Sequence, residues 1–211
     1  MDRDAYMPKK PQDKDQPPRS GTYHHGSLRE ALIEASEDIL RERGADGFSL
    51  REAARRANVS PAAPAHHFGD ARGLLTAIAT LGYQGLADTL RRAEADTEGQ
   101  PYAVRIKAHN WAYINYARDY PARFDLMWMR HRLNREDPDY LRASFSAYAS
   151  AYEIVTGQLM PPPTGNFALP MTPNIAAYWS LAHGLALLAR EGFFGPNTEA
   201  IIENALEKLS L

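Results

Sequence analysis

Residues 49–68 read Ser49-Leu50-Arg51-Glu52-Ala53-Ala54-Arg55-Arg56-Ala57-Asn58-Val59-Ser60-Pro61-Ala62-Ala63-Pro64-Ala65-His66-His67-Phe68, and their reading decides the fold. Ser49 to Glu52 has the form of a capping box, in which the Ser and Glu side chains satisfy orphan amides at a helix start. A short helix is predicted from there through Ala57, then a tight turn at Asn58-Val59-Ser60. Asn tolerates positive φ better than most residues, which suits Asn58 to that turn. Ser60 can cap a second helix with Pro61 in the favoured first position. Pro64 then removes one terminal hydrogen bond, because its missing amide would have met only the Ser60 carbonyl. The predicted unit is helix, tight turn, helix.

Helical signals continue on both sides. Ser27-Leu28-Arg29-Glu30 is another capping box, and Leu28, Leu32, Ala35 and Ile39 follow at helical spacing up to a stop at Gly44, with Gly47 in the turn after it. Past a turn at Gly69, Asp70 can cap a long helix to about Arg92. Further helices are predicted over about Tyr102–Arg118, from Pro121 through Phe124, Leu126, Met127 and Met129, and along Leu141, Phe145, Tyr148, Tyr152, Val155 and Leu159. Pro161 to Pro173 reads as an irregular connection before two last helices, about Asn174–Arg190 and Thr198–Leu209. No window alternates with period two, so no sheet is expected. The fold class is all-α with about nine helices.

Composition sets bounds on function. A chain of 211 residues with 44% hydrophobic and 24% charged residues suits one globular domain or two small ones. The absence of cysteine excludes disulfides, thiolate metal sites and cysteine nucleophiles, and fits a reducing cytoplasm. Residues 1–20 mix both charges with Pro8, Pro11, Pro17 and Pro18 and read as a disordered arm; lacking an apolar run, they do not read as a secretory signal. Residues 154–189 carry no Asp, Glu, Lys or Arg, yet five prolines leave them short of about 20 clean apolar residues, so no membrane span is expected. The net charge of -2 gives no global case for nucleic acid, so a DNA-binding face must be local.

The helix-turn-helix supplies a local rationale. A short second helix held at a steep angle can enter a major groove, braced by the first. Ala53, Ala57, Val59 and Phe68 are suited to core contacts over Leu74 and Leu75, while Ala62, Ala63, Ala65 and His66 are left for the groove. Alanine methyls can meet thymine methyls there.

The segment HHGSLREALIEASEDILRERGADGFSLREAARRANVSPAAPAHHFGDARGLL resembles the amino-terminal DNA-binding domain of the TetR family of bacterial transcriptional repressors, over roughly His24 to Leu81. The resemblance makes residues 49–68 the sensor helix, turn and recognition helix. It implies DNA contacts from Ser49, Arg51, Arg55, Ser60, Pro61, Ala62, Ala63, His66, His67 and Arg72. Trp179-Ser-Leu-Ala-His183-Gly184 resembles the branch of the family named for its Trp, His and Gly. Residues 82–211 would then form a ligand-binding and dimerisation domain. In the family the last two long helices build a dimer four-helix bundle, which makes Leu181, Leu185, Leu188, Ile201 and Leu206 interface candidates. Two departures stand out: Ala65 replaces a usual aromatic and Ala71 a usual Lys, both commonly phosphate contacts. Arg51, Arg55, Arg56 and Arg72 are candidate replacements, although residues 19–72 balance eight Arg with eight acidic residues.

The downstream half is rich in aromatic rings, most of which should be core. An all-helical regulator also needs a cavity walled by apolar groups with a few polar tips. Trp111, Asn115, Tyr116, Met127, Trp128, Tyr148, Tyr152, Trp179 and His183 are the candidates for it, with a mainly apolar or aromatic small-molecule effector. Gly184 is expected to let helices approach closely. Paired His24-His25 and His66-His67 point apart on a helix and lack a carboxylate at ligand spacing, so neither metal nor other cofactor is expected. No Gly-x-Ser-x-Gly, Walker loop, His-Glu-x-x-His or dinucleotide glycine pattern is present, so no enzyme is expected. The reading is a homodimeric, cytoplasmic repressor of a palindromic operator. The alternative is a helical small-molecule binder with weakened or lost DNA recognition.

Overall fold

A computed structural model describes residues 25–162 and 169–208, and every regular element among them is helical. The arm at 1–20, His24, the side chain of Ser27, residues 163–168 of the predicted connection and Leu209 fall outside the described residues.

Four helices build the amino-terminal head: α1 (His25–Arg43), α2 (Leu50–Arg56), α3 (Ala63–Phe68) and the first half of α4 (Ala71–Asp96). α1 starts at His25, ahead of Ser27, and ends at Gly44, whose φ of 66° lets its amide bond the Leu40 carbonyl at 2.9 Å. Ser49 caps α2 by accepting from the Glu52 amide at 3.5 Å. Glu52 does not reach back to close the box; its carboxylate is taken by Arg55 and Arg56. Asn58 adopts φ 54°, as its place in the turn requires.

α3 begins later than the sequence implied. Ser60 supplies its carbonyl to Ala63 N at 3.0 Å, not its hydroxyl as a cap, and the cap position falls on Ala62. Pro61 and Ala62 form a turn first, so Pro64 sits in the first helical turn, where an amide would be an orphan anyway. Asp70 caps α4 by accepting from Gly73 N at 2.8 Å. A Cβ at Gly73 would lie 1.9 Å from the Phe68 carbonyl oxygen, so the α3–α4 junction closes only because that side chain is missing. Leu32 and Ile39 of α1, Ala53 of α2, and Leu74 and Leu75 of α4 form the buried core of the head.

α4 continues into a bundle of α5 (Tyr102–Asp119), α6 (Pro121–Trp128), α7 (Pro138–Thr156), α8 (Pro173–Arg190) and α9 (Thr198–Lys208). Its 26 residues pack most extensively on α7. The buried residues of α7 are Tyr140, Ala143, Ala147, Tyr148, Ser150, Ala151 and Ile154. Of the stripe expected from the large residues, Tyr148 is buried, Leu141, Phe145, Tyr152 and Val155 are half-buried, and Leu159 lies beyond the helix, which ends at Gly157. Alanines win because they let two helices approach closely, and the large side chains are pushed to the flanks.

Close approach also falls on unexpected glycines. A Cβ at Gly82 would lie 2.8 Å from Met127 Sδ, and one at Gly85 would lie 2.8 Å from the Tyr116 hydroxyl. At Gly184 a Cβ would meet nothing within 4 Å, so the close packing expected there is not made within this chain. A buried polar node joins four helices: His109 Nε2 lies 3.0 Å from Ser150 Oγ and 3.1 Å from Glu94 Oε1, and Nδ1 bonds the Tyr178 hydroxyl.

Candidate DNA-binding face and ligand chamber

The helix-turn-helix presents a continuous outer surface. Ser49, Arg51, Arg55, Ser60, Pro61, Ala62, His66 and Arg72 are exposed, and Ala63 and His67 are half-buried. Ala65 is exposed with no aromatic ring to offer, and Pro64 is the buried anchor of α3. Phe68 packs inward on the head core and carries the Arg29 guanidinium 5.4 Å above its ring, which ties the end of α3 to α1.

Charge on this face is set by pairing. Glu52 accepts two hydrogen bonds from Arg55 at 2.8 Å and one from Arg56 at 2.9 Å. Those bonds, Arg55's first, pull the Glu52 carboxyl down to about 2, so it is ionised at any physiological pH. Arg56 also holds Glu42 through two bonds and its side chain is only 20% exposed. Arg56 is therefore a strut between α1 and α2, not a replacement phosphate contact. Arg51 and Arg72 remain as exposed cations with no carboxylate partner among the described residues. No group of three or more His, Cys, Asp or Glu is placed to hold a metal ion among the described residues.

The bundle contains a chamber in two parts. The inner part, about 70 Å³, is apolar, with Leu86 and Leu90 of α4 facing Ala147 and Ala151 of α7. The outer part, about 590 Å³, shares Tyr83, Trp128, Ser144, Leu169 and Trp179 with it and opens past Arg130, Arg135 and Glu136. Of the sequence candidates, Trp128, Tyr148 and Trp179 line the chamber. His183 stands behind the wall, with Nδ1 3.0 Å from the Tyr113 hydroxyl and its ring 4.7 Å from that of Trp128. Burial holds its imidazole below the usual histidine value, so it is neutral at neutral pH.

The remaining candidates are elsewhere. Trp111 donates its indole N–H to Glu203 at 2.9 Å, joining α5 to α9. Asn115 is exposed on α5. Tyr116 donates to the Gly82 carbonyl at 2.7 Å, and Met127 is fully buried against Gly82, so both bind helices together. Tyr152 is half-buried off the chamber walls. Tyr83, Leu86 and Leu90 also line the chamber, although none is among the sequence candidates; their spacing along α4 is that of one helical face. Tyr113 and Tyr178 line it as well.

Among the dimer candidates, Leu185 and Leu206 are buried in the core of this chain, and Leu181 is half-buried against it. Leu188 and Ile201 are exposed, as are Leu187 and Phe193 nearby. No helix among the described residues is long and apolar enough to cross a membrane.

Comparison with known proteins places these two parts. Residues 32–78 match the family described as bacterial regulatory proteins, tetR family, and residues 106–209 match the tetracyclin repressor-like C-terminal domain. A protein of unknown function from Rhodococcus sp. RHA1 is 30% identical, with a TM-score of 0.71 over 89% of this chain and 96% of its own. A tetR-family regulatory protein from Rhodococcus RHA1 shares the fold at 17% identity and a TM-score of 0.63, over 85% of this chain and 95% of its own. So does the TetR-like regulator LfrR from Mycobacterium smegmatis, in complex with proflavine, at 14% identity and a TM-score of 0.59, over 88% and 95%. No relative is found among curated proteins. With one match on the helix-turn-helix head and the other on the helices around the chamber, the chain belongs to the TetR family of bacterial transcriptional regulators.

Proposed function

We propose that the protein is a homodimeric, cytoplasmic repressor that binds a palindromic operator and releases it when a small, mainly apolar or aromatic ligand enters the chamber. In this reading residues 24–81 are the DNA-binding domain, residues 82–211 the ligand and dimer domain, and residues 1–20 a disordered arm. The observation that carries it is α4: its first turns hold the recognition helix through Gly73, and Tyr83, Leu86 and Leu90 further along wall the chamber. One rigid helix thus touches both sites. A ligand with unequal affinity for two positions of α4 shifts the spacing of paired recognition helices away from the roughly 34 Å that successive grooves require.

Ser49, Arg51, Arg55, Ser60, Pro61, Ala62, Ala63, His66, His67 and Arg72 are the proposed DNA contacts. Trp128, Tyr148 and Trp179 are the proposed ligand contacts, with His183 positioning the wall. Trp179 on the chamber, with His183 and Gly184 beside it on α8, favours the Trp-His-Gly branch. The open side of Gly184 shares α8 with Leu181 and exposed Leu188, and with Ile201 of α9 they make the proposed twofold interface. LfrR with proflavine is precedent for a planar ligand in this fold.

A gel-shift experiment on DNA flanking the protein's own gene tests the proposal; a sequence-specific complex at low salt is expected, and its absence defeats it. The alternative, a ligand binder without DNA recognition, is favoured by Ala65 and by the capture of Arg56 between two carboxylates. Salt titration separates the two, since phosphate contacts give a steep slope and their absence a flat one.

A further inference from the structure

The hydrogen-bonding groups around the chamber are mostly paired with the protein itself. Tyr83 donates to the Met127 carbonyl at 3.0 Å and Tyr148 to the Pro170 carbonyl at 2.6 Å. Tyr113 is bonded to His183, Tyr178 to His109, and the Trp179 N–H points to the Tyr113 oxygen. The Trp128 ring lines both parts, while its indole N–H is buried without accessible surface and has no acceptor among the described residues.

The mouth adds net positive charge. Arg130 and Arg135 both line the outer part, and neither is paired with a carboxylate among the described residues. Glu136 is the acidic group there and offsets only one of them. Aromatic walls alone would also accept a cationic ring. Two guanidiniums at the entrance oppose that cation and attract an anion.

We infer that the chamber selects an amphiphilic carboxylate, with its apolar end between α4 and α7 and the anionic head at Arg130 and Arg135. The inference rests on the chamber being the ligand site of the proposed function. The inner part, about 70 Å³, is smaller than the ~150 Å³ that takes a benzene, so it admits a short alkyl end or a ring edge while the outer part holds the rest.

The test uses the full chain and three probes with one tail, namely octanoate, 1-octanol and octylammonium, titrated by calorimetry at fixed salt. Octanoate is expected to bind about tenfold more tightly than octylammonium, and more tightly than 1-octanol, as charge-assisted hydrogen bonds imply. Arg130→Gln combined with Arg135→Gln should weaken octanoate about tenfold and leave 1-octanol within about twofold. A melting curve for the double variant confirms that it is folded. Octylammonium binding as well as octanoate, or octanoate indifferent to the Arg pair, overturns the carboxylate assignment while leaving the chamber as a ligand site. Failure of all three probes to bind the folded protein overturns both.

Discussion

Arg132 donates through Nη2 to the Ala45 carbonyl at 2.6 Å, and so joins the bundle to the turn between α1 and α2. Arg132 belongs to the short 3-10 turn Arg130–Arg132, whose first residue lines the chamber mouth. A few residues thus face the chamber on one side and grip the head on the other. The accompanying ion pair to Asp46, at 3.3 Å and with Asp46 almost fully exposed, adds little. The bond to the carbonyl is the part that matters.

Arg132→Ala should therefore loosen the head without unfolding the bundle. A hydrogen bond from a charged donor contributes about 1.5–3 kcal/mol, so amides of residues 44–56 should exchange at least about tenfold faster, with α7 unaffected. Hydrogen exchange read by mass spectrometry decides it. Unchanged exchange in the head removes Arg132 from the connection.

Gly73→Ala should abolish operator binding while ligand binding survives. The added methyl cannot coexist with the Phe68 carbonyl at 1.9 Å, so α3 must swing or the first turn of α4 must open. Backbone conflicts of this kind cost about 1–3 kcal/mol or more. Loss of DNA binding with retained probe titration is expected; normal DNA binding would show that the junction relaxes freely.

Glu52→Gln should strengthen nonspecific DNA binding. The carboxylate holds Arg55 and Arg56 by hydrogen bonds, and its removal frees Arg55 outright while Arg56 stays with Glu42. The slope of log K against log salt should steepen by about one. A slope equal to that of the parent protein places Arg55 away from phosphate.

Leu188→Glu with Ile201→Glu should convert the proposed dimer into monomers that remain helical. Both side chains are exposed in this chain, so their charges cost little within it, yet they would be buried unpaired in the proposed bundle. Analytical ultracentrifugation provides the measurement, and an unchanged sedimentation coefficient would move the interface elsewhere.

Acidification should destabilise the bundle in two steps. Burial holds His183 below its ordinary 6.5. At Glu94 burial pushes upward, but the hydrogen bonds of His109 and Ser150 outweigh it and hold the carboxyl below 4.5. In both cases the unfolded chain takes up the proton first, so stability is intact above the ordinary value and lost as pH falls through the folded one. Melting temperature should fall from about pH 6.5 and again below about pH 4.5; His183→Gln flattens the first step and Glu94→Gln the second. A melting temperature that rises on acidification contradicts both assignments.

Local chemistry in the sequence determined the helices, the head and its turn. Ser49 and Asp70 are caps, Asn58 takes the left-handed turn position, and Gly44 ends α1, because each depends on neighbours within a few residues. Tertiary structure alone decided which face of each helix meets which partner. Ala143, Ala147 and Ala151 outrank Leu141 and Phe145 as the buried seam of α7 because the separation of two helices is set by the side chains between them. Tyr116 and Met127 became struts by meeting glycines of α4, and the Trp128 indole N–H is left without an acceptor among the described residues because helices distant in sequence enclose it. Spacing along a chain carries no information about distance across it, and both the chamber and the grip of Arg132 on Ala45 are matters of that distance.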